Sequence, residues 1–240
     1  MIKYLAFDSD LFGYKVGEVA AGSAFSLIAT LKVAELSSYK LVYIKSFTKI
    51  PVSKPTTSPF YNLILADEKI SYQRPVNKAE ENASLLPDHK ICLYVNPIPE
   101  AQLIKLALQS GAFSRFATDL NFKNQEYQKL YSLWIHKLVT KEIPEEIWVY
   151  LNSENKLVGF FSIGFKTAEA TISLLAVDET ARRKGIAQAL LQVALTRARL
   201  QGCTTLRVIT QKANMPAVRF YEKAGFVCTN TIYLYHLWLP

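Results

Sequence analysis

The stretch Leu174-Leu175-Ala176-Val177-Asp178-Glu179-Thr180-Ala181-Arg182-Arg183-Lys184-Gly185-Ile186-Ala187-Gln188-Ala189-Leu190-Leu191 decides how this chain reads. An apolar, β-prone run ends at Val177. A short loop with three successive cations and one glycine follows, and an amphipathic helix begins at once. A helix N-terminus carries backbone N–H groups without intrahelical acceptors and the positive end of the helix dipole. A glycine there lets an anion approach the backbone closely. Strand, basic glycine loop and helix together form a cradle for a pyrophosphate-sized anion. The same residues in isolation are also compatible with a plain basic loop on a solvated face, so the decision rests on their surroundings.

Downstream lies Leu206–Thr210, a β-prone run with Val208 and Ile209. Then comes Asn214-Met215-Pro216-Ala217-Val218-Arg219-Phe220-Tyr221-Glu222-Lys223-Ala224-Gly225-Phe226. Pro in the first turn and Gly at the end mark a helix over 216–224. A last strand is expected over Thr231–Leu239. Upstream, Ile147–Leu151 and Leu157–Phe165 are strands joined by a polar turn, and Ala170–Val177 is another. From residue 146 the order is therefore strand, turn, strand, strand, helix, strand, helix, strand.

The spacing Arg182-x-x-Gly185-x-Ala187, followed by Asn214-x-x-Ala217-x-x-Phe220-Tyr221-x-Lys223-x-Gly225-Phe226, resembles the two signatures of the GNAT superfamily of N-acetyltransferases. The resemblance implies an α/β (α+β) fold with a mixed, splayed central sheet flanked by helices, and acetyl-CoA as co-substrate without a metal. It implies that Arg182, Arg183, Lys184, Gly185, Ile186, Ala187 and Gln188 cradle the pyrophosphate. The backbone groups of Leu175, Ala176 and Val177 would face the thioester. Asn214 is a coenzyme A contact or, equally, a helix cap. Tyr221 is the expected general acid, neutralising the departing thiolate. Its competing role is a core aromatic sharing a helix face with Ala217, Phe220 and Ala224. Glu169, Asp178 and Glu179 are candidate bases by residue type, with water-mediated deprotonation equally open.

The first 123 residues are expected to form a smaller N-terminal α/β domain, with 124–240 as the catalytic domain. Short strands are expected over Ile2–Phe7 and Tyr14–Ala20, a helix over 24–37 and a strand over Leu41–Phe47. An irregular loop follows through Pro51–Pro59. Strands are expected over Phe60–Leu65 and Ile91–Val95 with a polar stretch between, and a helix over Pro99–Gln109. Tyr127, Leu130, Tyr131, Trp134, Ile135 and Leu138 fall on one face of a helix over 124–139, a pattern more typical of core than of a sugar-stacking platform.

Asp8-Ser9-x-Leu11-Phe12-Gly13, Ser114-Arg115-Phe116 and Thr231–Leu239 resemble a subgroup of the superfamily. Its members acetylate dTDP-4-amino-4,6-dideoxy sugars, the dTDP-fucosamine acetyltransferase type. That implies a nucleotide-linked amino-sugar acceptor and a homodimer. The rival within enzymes is the protein N-terminal, ribosomal-protein alanine type. Arg115 is read either as a bidentate phosphate ligand or as an ordinary salt-bridge or surface residue. Asp8 and Asp10 fit a turn or cap better than a metal pair.

Composition agrees with this. The chain has 240 residues with a formal charge of +8. Residues 1–150 hold 17 basic and 15 acidic side chains, and 151–240 hold 11 and 5, so most of the excess sits with the proposed anion cradle. No basic tail or stripe interleaved with aromatics suggests nucleic acid. Three cysteines at wide spacing signal neither a disulfide framework nor a zinc site. No run approaches the roughly 18–20 apolar residues of a membrane span, and the N-terminus does not read as a signal peptide; a cytoplasmic location is the expectation.

Overall fold

The computed structural model describes residues 2–20, 38–51, 56–58, 61–76, 90–94 and 99–240. Among them eleven strands form one mixed sheet. In chain order the elements are β1 (Lys3–Tyr4), α1 (Ala6–Phe12), β2 (Val16–Ala20), β3 (Leu41–Ser46), β4 (Thr56–Ser58), β5 (Tyr61–Pro75) and β6 (Lys90–Leu93). Then come α2 (Glu100–Ser110), α3 (Arg115–Thr118), α4 (Glu126–Val139), β7 (Glu146–Leu151), β8 (Leu157–Lys166) and β9 (Glu169–Val177). A 3-10 turn at Glu179–Ala181 leads to α5 (Ile186–Leu200), β10 (Thr205–Gln211), α6 (Met215–Lys223) and β11 (Val227–Trp238).

The strand order is β1-β2-β3-β11-β5-β10-β9-β8-β7-β6, with β4 paired to β5. Strands from before and after residue 124 share this sheet: β5 pairs with β11 from Asn62 to Gln73 and with β10 from Lys69 to Pro75. Helices cover both faces. On one, α5 and α6 pack Ile186, Leu190, Leu191, Ala194, Val218 and Tyr221 against Phe161, Ile172 and Val208. On the other, α2 and α4 pack Leu103, Leu106, Tyr131, Ile135 and Leu138 against Val149, Phe160 and Leu174. The apolar stripe of α4 therefore supplies core, as its period requires.

Two local features depart from the sequence reading. The strand expected over Ile2–Phe7 keeps only Lys3–Tyr4; the chain then turns into α1. Gly13 closes that helix in the left-handed conformation (φ 77°), its N–H bonded to the Ser9 carbonyl. Ser9 Oγ accepts from Val16 N at 2.9 Å and donates to the Leu5 carbonyl, which ties the helix to β2. The strand expected over Phe60–Leu65 runs on to Pro75 through Asp67-Glu68-Lys69. Ladder bonds to β11 across all three, joined by β10 from Lys69 onward, outweigh the poor strand propensity of those charges. The helix expected over 24–37 and most of the Pro51–Pro59 loop lie outside the described residues.

The parallel pairing of β9 with β10 runs only from Glu169–Thr205 to Ile172–Val208. Beyond it β9 continues to Val177 and β10 to Gln211 without pairing to each other, so the sheet opens into a wedge. On its other side β9 stays bonded to β8 through Val177, with a register shift between Ser162 and Ile163. In an antiparallel pair alternate residues direct their backbone groups away from the partner. The far half of β9 therefore presents N–H and C=O groups to the wedge.

Candidate active site

A cleft of about 1030 Å³ opens at one mouth of the wedge. Leu175, Ala176 and Val177 form one wall, and Arg182, Arg183, Gly185, Ile186, Ala187 and Gln188 another. Asn214 and Tyr221 close it from α6. Of the residues expected from the sequence to hold the cofactor, Lys184 alone does not line this cleft. Gly185 is the N-cap of α5, in the left-handed conformation (φ 79°), and no side chain caps the helix. Arg183 is also left-handed (φ 63°). The N–H groups of the first turn of α5 are thus left for a ligand, with the dipole and two cationic side chains beside them.

Arg182 does something other than grip an anion with its fork. Its Nε donates to the Val177 carbonyl at 3.1 Å, and Nη2 donates to Gln109 Oε1 at 3.4 Å. Gln109 Oε1 also accepts from Glu179 N, and its Nε2 donates to Asp178 Oδ2. The end of α2 is thereby stitched to the loop that precedes the cradle. Asp178 accepts from Thr180 N and Oγ1 and lies 3.7 Å from Lys105. Those hydrogen bonds, led by Thr180, hold its carboxyl below the ordinary value. It caps the 3-10 turn. Asn214 likewise caps α6, accepting from Ala217 N at 3.2 Å, while also lining the cleft.

A second chamber of about 270 Å³ lies deeper in the wedge. It shares Ser110, Leu175, Asn214, Ala217 and Tyr221 with the cleft. Thr171–Leu175 and Val208–Gln211 line it from the two splayed strands, and Leu130, Tyr131 and Trp134 from α4. Asp67 and Lys69 enter from β5, Ser114 and Arg115 from α3 and its cap. Asp67 Oδ2, Ser114 Oγ and Arg115 Nε are buried without a hydrogen-bond partner. Burial pushes the Asp67 carboxyl up to about 6, against the pull of Lys69 and Arg115. Burial, reinforced by Arg115, pushes the Lys69 amine down to about 8.

Tyr221 belongs to both cavities. Its ring packs against Tyr72, Phe220 and Phe226, with centroids 6.3, 5.2 and 5.4 Å away. It is at once a core aromatic and a lining residue of the reaction space. Burial pushes its phenol well above the ordinary value, so it stays protonated, a donor at any working pH.

The candidate bases named from the sequence do not meet in the chamber. Glu169 sits where the strands are still paired, 3.7 Å from Arg207 and hydrogen-bonded to Gln73. Glu179 lines the outer cleft. Asp67, Lys69 and Gln109 are not singled out in the sequence; Trp134 is, on the helix stripe read as core rather than sugar-stacking platform, and it lines the chamber. The available signal was a charged triplet, Asp67-Glu68-Lys69, between the β-prone runs Leu63–Leu65 and Ile70–Tyr72; for Gln109 there was none. Among the described residues no three His, Cys, Asp or Glu side chains cluster as a metal site would require.

The family profile described as "Acetyltransferase (GNAT) family" matches residues 102–226, which span the wedge, the cradle and Tyr221. The chain belongs to the GNAT acetyltransferase family. A solved member of the family from Sphaerobacter thermophilus superposes with a TM-score of 0.54 at 13% identity, covering 88% of this chain and 63% of that one. Among curated relatives, the spore coat polysaccharide biosynthesis protein SpsD of Bacillus subtilis is 26% identical over 136 residues, 57% of this chain and 46% of its own length. This chain thus spans about half of that relative. The dTDP-fucosamine acetyltransferase of Escherichia coli is 26% identical over 170 residues, 70% of this chain and 69% of that protein. N-alpha-acetyltransferase 30 of Saccharomyces cerevisiae is 22% identical over 133 residues, 51% and 75% respectively. Among the described residues no helix is long and apolar enough to cross a membrane.

Proposed function

We propose that this protein moves an acetyl group from acetyl-CoA to the amine of a nucleotide-linked amino sugar of the dTDP-4-amino-4,6-dideoxyhexose type. The observation that carries the reading is a wedge whose outer cleft, beside a basic loop and an uncapped helix N-terminus, meets at Tyr221 a deeper chamber lined by buried polar groups. The uncapped α5 N-terminus and its basic loop suit the pyrophosphate of acetyl-CoA. The deeper chamber suits a small polar acceptor. The likeness to the dTDP-fucosamine acetyltransferase, which covers more of this chain than the yeast relative does, favours a sugar. The likeness to that subgroup also favours a homodimer.

In this reading the acceptor amine reaches the thioester from the chamber. Asp67, with a carboxyl near 6, is ionised at neutral pH and takes the proton that the nitrogen loses as the N–C bond forms. Backbone N–H groups of Leu175–Val177 that face the wedge donate to the carbonyl oxygen as it gains charge. As the C–S bond breaks, the Tyr221 hydroxyl meets the thiolate. An ordinary thiol is a stronger acid than a buried phenol, so Tyr221 acts first by hydrogen bonding to the sulfur charge. The test is thiol release from acetyl-CoA with a panel of nucleotide amino sugars, peptides and polyamines. The reading expects turnover with the amino sugars; turnover confined to peptides would leave the fold standing and remove the substrate.

A further inference from the structure

Two of the sequence stretches that mark the sugar-acetylating subgroup, Ser114-Arg115-Phe116 and the closing strand, meet at a buried relay beside the deeper chamber. Trp238 Nε1 donates to Asp119 Oδ2 at 2.8 Å. His236 Nδ1 lies 2.5 Å from the same oxygen. Asn121 N and Nδ2 bind Asp119 Oδ1. Burial pushes His236 down to about 4, so the ring is neutral at pH 7. With Nδ1–H donating to Asp119, Nε2 is the acceptor. It faces Arg115 Nη1 at 3.4 Å. The guanidinium is further clamped over the Tyr43 ring at 3.8 Å and near the Phe116 ring at 4.6 Å.

This chain of contacts orients Arg115 but does not neutralise it. Among the described residues no carboxylate forms an ion pair with it. Arg115 is 9% exposed, its Nε has no partner, and it lines the chamber. Ser114, 5% exposed, places an unpartnered hydroxyl on the same wall. Asp67 attracts the guanidinium across the chamber without touching it; a buried guanidinium with no anion in contact is costly, and a buried donor left unmade costs its full desolvation. Both costs are recovered when an anion with several acceptor oxygens enters. A planar fork held edge-on by a neighbour is the geometry that suits phosphoryl oxygens.

We propose that Arg115, positioned by His236 and Asp119, binds a phosphoryl oxygen of the acceptor where the sugar joins its nucleotide, with Ser114 as a second donor. This rests on the reading of the protein as an amino-sugar acetyltransferase. It assigns the substrate's anchor to the wall formed by α3, and the amine end to Asp67. The anchor is separate from the α5 cradle, so the wedge holds two phosphate sites, one for each substrate.

The experiment compares dTDP-4-amino-4,6-dideoxygalactose with the same amino sugar lacking the nucleotide. In wild type the linked sugar is the better substrate. Arg115→Lys, which keeps the charge and loses the fork, raises KM for the linked sugar by about 10- to 100-fold, as loss of charge-assisted hydrogen bonds does. The KM for the free sugar, the KM for acetyl-CoA and kcat change little. Ser114→Ala removes one small hydroxyl beside Tyr131, its folding checked by an unchanged melting temperature without ligand, and raises the same KM by about 3- to 10-fold. An equal effect on both sugars, or an effect on kcat alone, overturns the proposal. A second readout stands apart from the acceptor's identity. With saturating coenzyme A filling the α5 cradle, inorganic phosphate raises the melting temperature of wild type saturably and does not raise that of Arg115→Lys. Identical behaviour of the two overturns the anchor even if no sugar is acetylated, and a difference supports it in that case too.

Discussion

Asp67 on β5 and Tyr221 on α6 line one chamber, at the place where β9 and β10 part. One is a carboxyl raised to about 6, the other a phenol held protonated by burial. Burial raises both, yet at neutral pH the carboxyl is still mostly ionised and the phenol protonated, so one chamber holds a proton acceptor and a proton donor.

Tyr221→Phe keeps the ring packing against Tyr72, Phe220 and Phe226 and deletes only the hydroxyl. It should lower kcat by about 10²- to 10³-fold, the range for removing one preorganised donor to developing negative charge. The acetyl-CoA dissociation constant and the melting temperature should stay near wild type. Near wild-type kcat would return Tyr221 to a purely structural role.

Asp67→Asn gives two linked outcomes. The acid limb of the kcat/KM profile, centred near pH 6, should disappear, with a rate loss of about 10²-fold or more. Stability should move the other way. The folded carboxyl titrates near 6 and the free one near 3.8, so between those values the native state holds a proton the unfolded chain has lost. Wild-type stability therefore falls as pH rises from about 4 to about 6 and stays lower above. The variant escapes that loss. It should be more stable above pH 6, by at most about 3 kcal/mol, and the gap should close below pH 4. Denaturation across that pH range checks the sign.

The same residue shows where sequence reading succeeds and where it stops. The cradle from Leu174 to Leu191 and the helix carrying Tyr221 were legible because each element there follows a local rule: a strand, a glycine N-cap, a 3.6-residue period, a proline in the first turn. β5 was not, because Asp67 and Lys69 interrupt its apolar pattern. They do so because they face a cavity between splayed strands, and a cavity formed by residues far apart in sequence leaves no periodic trace. Arg115 was legible as a residue type with two possible roles. Only the fold brings His236 and Tyr43 to it from distant strands. Gln109 gives no signal at all, since its role depends on where the end of α2 lands.

Gln109→Ala should loosen the loop that positions the cradle. It removes the acceptor of Glu179 N and of Arg182 Nη2 and the donor to Asp178. The KM for acetyl-CoA should rise several-fold, consistent with roughly 1 kcal/mol for hydrogen bonds of this exposed kind. The acceptor KM should hold. An unchanged acetyl-CoA KM would show that the loop keeps its shape without the bridge.

Gly185→Ala places a Cβ on a residue at φ 79°, a conformation that costs a non-glycine residue about 1–2 kcal/mol. The methyl group also stands where the phosphates are expected to meet the α5 N-terminus. Acetyl-CoA affinity should drop by about tenfold or more, measured by calorimetry, while global stability falls by no more than the strain. Lys184→Ala, outside the cleft lining, should change that affinity far less.

The most direct measurement is mass spectrometry of dTDP-4-amino-4,6-dideoxygalactose incubated with the full-length protein and acetyl-CoA carrying a deuterated acetyl group. Transfer through the wedge predicts one labelled acetyl group on the sugar nitrogen, formed by wild type and lost with Tyr221→Phe. An unlabelled sugar alongside labelled peptide N-termini, or label on the sugar formed equally by wild type and Tyr221→Phe, would contradict it.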